Sequence, residues 1–391
     1  MTESLASDEV GHGPFWAPDL PLLHLRMLLP LRHRAPRAFP FSHPDVEYVH
    51  FARNAIYKAA AHFSLGGAEV LVPAYFHGVE VEALVAAGVR PRFFPVRSGM
   101  RVEPEDVIRC IGPATRAVYL IHYLGFPGPA EELQRICRER GLIFFEDCAL
   151  ALLSMLGDRA LGSFGDASFF CLYKTLPTLD GGAVVLRNGR LNIQGVPPPD
   201  GGIVREAAAS VLRSFQRRRG RLTRRLLSTA KTVGKRLARR TEEKWVPVGT
   251  QDFNPAEANL LMSDVSRGVL AAQDLGEVVS RRRRNFLHLE SRLGDLAPPV
   301  FESLPAGVCP LFYPFITKHK LELWRKLDAQ GVQAVLFWLP RQFAPPHGEF
   351  PDVDQLRQTV LELPCHQDLT PADIERMAQI VRSIVRSLER W

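Results

Sequence analysis

Residues 142–188 read LIFFEDCALALLSMLGDRALGSFGDASFFCLYKTLPTLDGGAVVLRN. The apolar run at the start of this segment ends in Glu146-Asp147, which predicts a buried strand with carboxylates at its C-terminal end. Lys174 follows 27 positions after Asp147, in a turn-rich stretch between two apolar runs. An acid and a lysine in this order suit pyridoxal phosphate (PLP). This coenzyme needs a lysine to hold it as a Schiff base and an acid to keep its ring nitrogen protonated.

Taken alone, each residue has a commoner explanation. A lysine after an apolar run is usually solvated, and a Glu-Asp pair at a strand end usually caps a helix. The order of the motifs favours the coenzyme. From about Asn54 to the C-terminus, with one insertion, the chain resembles the DegT-type sugar aminotransferases, a branch of the fold-type-I PLP enzymes. In that family a Glu-Asp pair, a Gly-Asp, a Lys and a Gly-Gly before a strand occur in this order.

The resemblance implies an α/β fold of the fold-type-I PLP transferase kind. A mainly parallel sheet with helices on both faces is expected, together with a smaller C-terminal α/β domain. The alternation of strand-like and helix-like runs agrees with this class. The predicted organisation is as follows: an irregular N-terminal arm (1–44), a large PLP-binding domain (45–203), a basic amphipathic helical insertion (204–244), a return to the large domain with a linking helix (245–293), and a small C-terminal domain (294–391).

Composition places the chain among globular proteins. It has 391 residues, of which 46% are hydrophobic and 23% charged, and it is long enough for two domains. The apolar run from Leu20 to Leu31 is short and contains His24 and Arg26, so we expect neither a transmembrane span nor a signal sequence there. The six cysteines show no CxxC or metal-ligand spacing, which predicts reduced core thiols and no metal site. The expected location is the cytoplasm.

The basic charge of the chain is concentrated in one segment. The net charge is +7, but residues 204–244 carry 14 lysines and arginines against three acids, which is +11. The rest of the chain is therefore at −4, so nucleic-acid binding is not expected. Within the segment, leucines recur at helical spacing among the arginines. Three interpretations stay open: a solvated face packed on its own body, an anionic membrane surface or protein partner, and a contact with substrate phosphate. The second interpretation implies a peripheral position at the inner membrane face.

Two stretches are candidates for the coenzyme's phosphate. A predicted helix at Ala52–Phe63 opens with Arg53-Asn54-Ala55, and helix N-termini bind anions. In the resembled family this turn offers backbone N–H groups and a small hydroxyl, which assigns Asn54 and Ala55; an ordinary N-cap is the alternative for Asn54. Near the lysine, the family's phosphate-binding serine corresponds to Ser168, the better donor, or to Cys171, which lies three residues before Lys174.

Further site residues follow from the resemblance. His77 occupies the position of the flat side chain that stacks on the PLP ring; the alternative is a histidine hydrogen-bonded to a loop. Leu150 replaces a polar residue near the reacting carbon, and Leu261 replaces an arginine. Asn259 matches the residue that reaches the coenzyme phosphate of the neighbouring subunit, which implies a homodimer with shared active sites.

The C-terminal part alternates strand-like runs with helices. The pattern predicts one long helix over Leu270–Leu293 and strands over Leu311–Ile316 and Ala334–Trp338. The last element resembles the capped final helix of the same family and is expected from Thr370 to Leu388.

The resemblance implies a PLP-dependent aminotransferase that converts a keto group, most directly of a nucleotide-linked sugar, into an amine with an amino-acid donor such as glutamate. Lys174 would hold the coenzyme and then move a proton, and Asp147 would face its ring nitrogen. Two alternatives remain. One is a PLP enzyme of another reaction type or with a lipid-linked substrate at a membrane, and the other is a non-catalytic PLP-binding relative that acts as a membrane- or partner-binding scaffold.

Overall fold

A computed structural model describes residues 15–29, 37–218, 252–338 and 343–388. The basic segment predicted over residues 204–244 is described only as far as Arg218, and its remainder lies outside the described residues. Within the described ranges, no helix is both long and apolar enough to cross a membrane. Part of the N-terminal arm contacts the body, since Ala17 pairs with Val332 in an isolated bridge.

A seven-stranded sheet forms the centre of the fold, in the order β1-β9-β8-β5-β4-β2-β3. Its strands are β1 (Glu47–Val49), β2 (Glu69–Pro73), β3 (Arg90–Phe94), β4 (Thr115–Ile121), β5 (Ile143–Asp147), β8 (Ala167–Cys171) and β9 (Gly182–Leu186). The five strands from β8 to β3 are parallel, and β9 and β1 are antiparallel to their neighbours. The short hairpin of β6 (Met155–Leu156) and β7 (Arg159–Ala160) lies outside this sheet.

Helices connect the strands and cover the sheet. They are α1 (Ala52–His62), α2 (Val79–Ala86), α3 (Pro104–Cys110), α4 (Ala130–Arg140), α5 (Asp200–Arg218), α6 (Asp264–Ala271), α7 (Leu275–Leu293), α8 (Lys320–Ala329), α9 (Pro351–Thr359) and α10 (Pro371–Leu388). Helix α1 packs on β8 and β9, whereas α4 packs on β4 and β5. Strands β2, β4, β5 and β8 of the parallel part are buried along nearly their whole length, as expected for strands covered by helices, whereas the edge strand β3 is partly exposed. The predicted α/β class is confirmed.

A second, two-stranded sheet lies in the C-terminal part of the chain. Its strands, β10 (Phe312–Ile316) and β11 (Val360–Pro364), are antiparallel. Helix α7 contacts β10 and α10, and α8 contacts β11 and α10. The capped final helix is confirmed. The Asp373 amide donates to Thr370 Oγ1 at 3.2 Å, and the Thr370 amide donates to Asp373 Oδ2 at 2.9 Å.

Two predicted elements differ from the structure. The helix predicted over Leu270–Leu293 is interrupted, because Asp274 caps a new helix there by accepting the Glu277 amide at 3.0 Å. The strand predicted over Ala334–Trp338 is wrong as well. Within that run only Val335 pairs, in an isolated bridge to Glu362. Apolar periodicity detects neither a cap within a helix nor a run that packs by its side chains.

The first acid of the Glu146-Asp147 pair has a structural role. Glu146 is fully buried and accepts hydrogen bonds from the amides of Gly162, Phe164 and Gly165. The fourth contact comes from His122, whose Nε2 lies 2.9 Å from the carboxylate. Because the Gly128 amide donates to His122 Nδ1, the proton of the neutral ring lies on Nε2 and points to Glu146. This network ties the loop after β7 to the sheet.

We expect Glu146→Gln to destabilise the protein by about 3 kcal/mol. The side-chain NH₂ group of glutamine would face backbone N–H groups, from which it cannot accept hydrogen bonds. Urea unfolding measures this difference. The matched control is Glu131→Gln on α4, whose side chain is 63% exposed. A change in unfolding free energy no larger than that of the control would contradict this role for Glu146.

Candidate active site

The carboxyl ends of the parallel strands border a pocket, which we call the sheet-edge pocket. It contains about 540 Å³ of empty space, part of it open to solvent. Strand β4 contributes Ile121 and strand β5 contributes Asp147, while Arg53 comes from the N-terminal turn of α1. Ligands of open α/β sheets bind at this edge. The pocket therefore lies where a functional site is expected.

Helix α1 can begin directly on the sheet because a glycine lies beneath it. A Cβ atom on Gly182 would lie 2.4 Å from the Ala52 amide nitrogen, a distance that real Cβ atoms do not show. The preceding Gly181 has φ +125°, which favours glycine. Asp180 adds a polar tie, since its carboxylate lies 2.8 Å from His50 Nδ1 and accepts the Ser263 amide. These contacts place the N-terminus of α1 at the pocket wall.

Lys174 lies in the turn that follows β8. The turn is closed by hydrogen bonds from the amides of Thr175 and Leu176 to the Leu172 carbonyl. The half-buried side chain lines the sheet-edge pocket. Among the described residues, no hydrogen-bond acceptor or carboxylate is bonded to its amine. An amine held at a pocket wall without a partner is suited to react with a carbonyl group.

Asp147 is the last residue of β5 and lines the same pocket. The residue is 5% exposed, and its carboxylate accepts hydrogen bonds from Tyr119 Oη at 2.7 Å and the Ala149 amide at 2.8 Å. Burial raises the pKa of Asp147, although these two hydrogen bonds and the charge of Lys174 act against the rise. A buried carboxylate without a paired cation among the described residues fits a ligand that presents a positively charged N–H.

The structure brings together only some of the residues proposed from the sequence. The ring of His77 lines the pocket and lies 6.3 Å from the ring of Trp338. Asn54 is buried, and its Nδ2 donates to the Glu257 carbonyl at 2.7 Å. Ala55 is buried within α1. Asn259 is exposed.

Strand alternation places Ser168 and Cys171, the two candidates for the family's phosphate-binding serine, on opposite faces of the sheet. Ser168 pairs with Glu146 across the strands and therefore lies on the sheet face opposite Asp147. Its hydroxyl donates to the Gly162 carbonyl at 2.5 Å. Cys171 lies on the Asp147 face and lines the pocket. The phosphate roles of Asn54, Ala55, Ser168 and Asn259 stay predictions.

Three polar or charged residues of the site were not identified from the sequence: Arg53 and Glu80, which line the pocket, and Tyr119, which donates to Asp147. Tyr119 lies two residues before Ile121, on the same strand face, and this alternation is a signal that could have found it. Arg53 and Glu80 belong to the first turns of α1 and α2, where a charged side chain near a helix N-terminus is a weak signal. Leu150, noted as an apolar replacement, also lines the pocket.

Glu80 holds the segment that carries His77. Its two carboxylate oxygens accept the amides of His77 at 2.7 Å and Gly78 at 3.1 Å. Burial and, next, the charge of Asp147 raise the pKa of Glu80 from 4.5 to about 7, while its backbone hydrogen bonds and Lys174 act in the opposite direction. Glu80 therefore gives the site a titratable group near neutral pH.

We expect Glu80 to make the coenzyme-free protein less stable as pH rises. A carboxyl whose folded pKa exceeds its unfolded value favours folding fully below pH 4.5, and this contribution is lost as pH rises through about 7. The loss amounts to about 3 kcal/mol, since one pKa unit corresponds to about 1.4 kcal/mol. Urea unfolding between pH 4.5 and 8 measures this loss. The free energy of unfolding of Glu80→Gln should fall less with rising pH than that of the wild-type protein. An unchanged slope, equal to that of Glu131→Gln, would refute the assignment.

Comparison with known proteins assigns the class that this fold and site define. A sequence model described as the DegT/DnrJ/EryC1/StrS aminotransferase family matches residues 52–382, and the chain belongs to this family. The protein is therefore a PLP-dependent aminotransferase. The fit is local as well, because Lys174 and Asp147 offer an amine and a carboxylate in one pocket.

Individual relatives are sugar aminotransferases. The chain is 25% identical, over 85% of its length and 83% of the relative's, to dTDP-4-dehydro-2,3,6-trideoxy-D-glucose 4-aminotransferase of Saccharopolyspora spinosa. It is 34% identical to the GDP-perosamine synthase of Vibrio cholerae over 33% of this chain and 38% of the relative. Among solved structures, Helicobacter pylori PseC, an aminotransferase of pseudaminic acid biosynthesis, matches with a TM-score of 0.67. That match has 18% identity and covers 95% of this chain and all of that chain, and it shows the fold alone.

Proposed function

We propose that the protein aminates a keto group of a nucleotide-linked sugar and takes the amino group from an amino acid such as glutamate. The observation that carries this proposal is the meeting of Lys174 and Asp147 in the sheet-edge pocket. The sugar class is supported by the names of the relatives, which act on dTDP-, GDP- and UDP-linked sugars. The alternative of a non-catalytic scaffold is not retained, because the family is one of aminotransferases.

Several residues of the site have a part in the proposed reaction. When bound, PLP supplies an electron sink for the reacting carbon. Lys174 would hold the coenzyme and would move a proton at the substrate's Cα. Asp147, held by Tyr119, would keep the coenzyme's ring nitrogen protonated. His77, on the backbone anchored by Glu80, would contact the coenzyme's ring. Leu150 makes the substrate side more apolar.

We further propose a homodimer with shared sites. Asn259 is exposed in the single chain, next to the Leu260–Leu261 segment that bridges to Val196 and Val49. An exposed amide on an anchored segment is suited to reach the phosphate group of a partner subunit's coenzyme. Analytical ultracentrifugation and the coenzyme affinity of Asn259→Ala test this arrangement. A monomeric, fully active protein would exclude it.

The experiment for the main reaction separates donor from acceptor. The protein is loaded with PLP, and the coenzyme's absorbance is followed while amino acids are added one at a time. We expect glutamate to convert the coenzyme to its amino form, and a keto sugar linked to dTDP, GDP or UDP to reverse the change. A spectrum that no amino acid alters would overturn the transamination. A reversal by simple keto acids but by no nucleotide-linked sugar would overturn the acceptor class.

A second activity, binding to an anionic membrane surface, is favoured by one face of α5. Val204, Leu212 and Phe215 lie on this face and are 56%, 36% and 41% exposed. Exposed apolar side chains beside a basic run are typical of helices that lie on lipid surfaces. Co-sedimentation with vesicles of phosphatidylglycerol and phosphatidylcholine tests it, with Leu212→Ser/Phe215→Ser as the variant. Equal binding of this variant, or no preference for the anionic vesicles, would count against the membrane function.

A further inference from the structure

Arg53 is a buried cation on the wall of the sheet-edge pocket. It is the second residue of α1 and is only 5% exposed. It lines the pocket together with Lys174 and Tyr173. Burial lowers the pKa of the guanidinium, because the charged form loses water. A cation is therefore unfavourable at this position unless a group in the pocket compensates for the lost hydration.

The protein itself provides little compensation. Among the described residues, no carboxylate oxygen lies within 4 Å of the guanidinium. The groups that act against the lowered pKa are Tyr173, Cys171 and, after them, Glu257 and Glu82, and their combined effect is smaller than that of burial. The guanidinium carbon lies 4.2 Å from the ring centre of Phe51, which is a cation–π contact. Such a contact is worth about 0.5 to 2 kcal/mol, less than the several kcal/mol that burial of an unpaired ion costs.

The surroundings of Arg53 indicate what the missing partner is. The N-terminus of α1 lies at the same wall, and its free amides and dipole favour an anion. A guanidinium presents parallel N–H donors whose geometry matches two oxygens of a phosphate group. Free neutral donors are scarce here, since Ser168 is on the other sheet face, Asn54 is bonded to Glu257, and Tyr173 is hydrogen-bonded to Cys171.

We propose that Arg53 binds a phosphate group in the sheet-edge pocket through a charge-assisted contact that takes the place of neutral hydroxyl donors. This inference rests on the proposed function. Two sources offer the same chemistry, namely the phosphate of the coenzyme and the diphosphate of the nucleotide-linked substrate. In either case Arg53 acts through its charge, so that lysine retains part of the effect and an uncharged side chain of similar length does not.

The experiment compares ligands that differ only in the phosphate. Spectroscopic titration of coenzyme-free protein measures the affinities for PLP and for pyridoxal, which has the aldehyde and ring but no phosphate. We expect Arg53→Met to reduce the preference for PLP over pyridoxal at least tenfold, with pyridoxal affinity nearly unchanged, and Arg53→Lys to restore part of it. Calorimetry with UDP, dTDP and GDP on the PLP-loaded protein provides the second arm. Arg135→Met, an exposed arginine on α4, is the matched control.

The outcomes separate the sources and the alternatives. A reduced preference for PLP identifies the coenzyme phosphate, and a tenfold loss of nucleoside diphosphate affinity alone identifies the substrate. If Arg53→Met leaves both unchanged, or weakens PLP and pyridoxal equally, the arginine is a packing residue and the inference is overturned. If the wild-type protein binds neither aldehyde, the proposed function fails instead. Circular dichroism of each variant accounts for misfolding.

Discussion

Lys174→Ala is expected to abolish the coenzyme's covalent attachment and to reduce transamination by about 10⁴-fold or more. Lys174 is the single lysine among the described residues that line the sheet-edge pocket. No neighbouring amine can therefore replace it as nucleophile or as the group that moves a proton. The absorbance spectrum of the PLP-loaded variant and its rate with glutamate measure the two losses separately.

Controls distinguish chemistry from folding in this experiment. Lys174→Arg keeps the positive charge but lacks a nucleophilic amine, so it should be as inactive as the alanine variant. Lys326→Ala, on the exposed side of α8, should behave as wild type. Added methylamine should restore part of the proton transfer in Lys174→Ala. A variant with activity within tenfold of wild type and an unaltered spectrum would refute the assigned role.

Asp147→Asn is expected to lower the rate of the half-reaction with glutamate by about 10²- to 10³-fold, while Lys174 still holds the coenzyme. An amide has the shape of the carboxylate but no negative charge, so the ring nitrogen loses the group that keeps it protonated. Electrostatic contacts of this kind are typically worth such factors in rate. Stopped-flow absorbance measures the half-reaction directly.

Tyr119→Phe serves as the graded control for Asp147. It removes the 2.7 Å hydrogen bond but leaves the carboxylate in place, so a loss of about tenfold is expected. If Asp147→Asn is no slower than Tyr119→Phe, the negative charge of Asp147 has no special role.

Local order in the sequence was sufficient to predict that Asp147 and Lys174 lie in one pocket at the strand ends. Asp147 ends a parallel strand and Lys174 follows the next one, and parallel strands end at one edge of the sheet. The directions of side chains in helical turns could not be predicted in this way. Arg53 faces the pocket while Asn54 beside it faces Glu257, and only the packing of α1 on the sheet decides between them.

Residues distant in the chain were beyond the sequence pattern altogether. Trp338 lines the pocket from a segment that was predicted to be a strand, because its apolar residues resemble one. Its place is determined by contacts with Tyr75 and His77, about 260 residues earlier in the chain. The interrupted helix before Leu275 depends likewise on one hydrogen bond of Asp274. Tertiary contacts and single helix caps determine where these segments lie and where these helices begin. The periodicity of apolar residues along the sequence does not predict either.

The outermost strand of the sheet has a consequence for solubility. Strand β3 ends the strand order on one side and begins with Arg90-Pro91-Arg92, whose two arginines are exposed. Proline has no N–H to offer to an incoming strand, and two positive charges repel an identical edge. This edge is thus protected against growth of the sheet from one molecule into the next. We infer that concentrated solutions of the protein resist aggregation through β3.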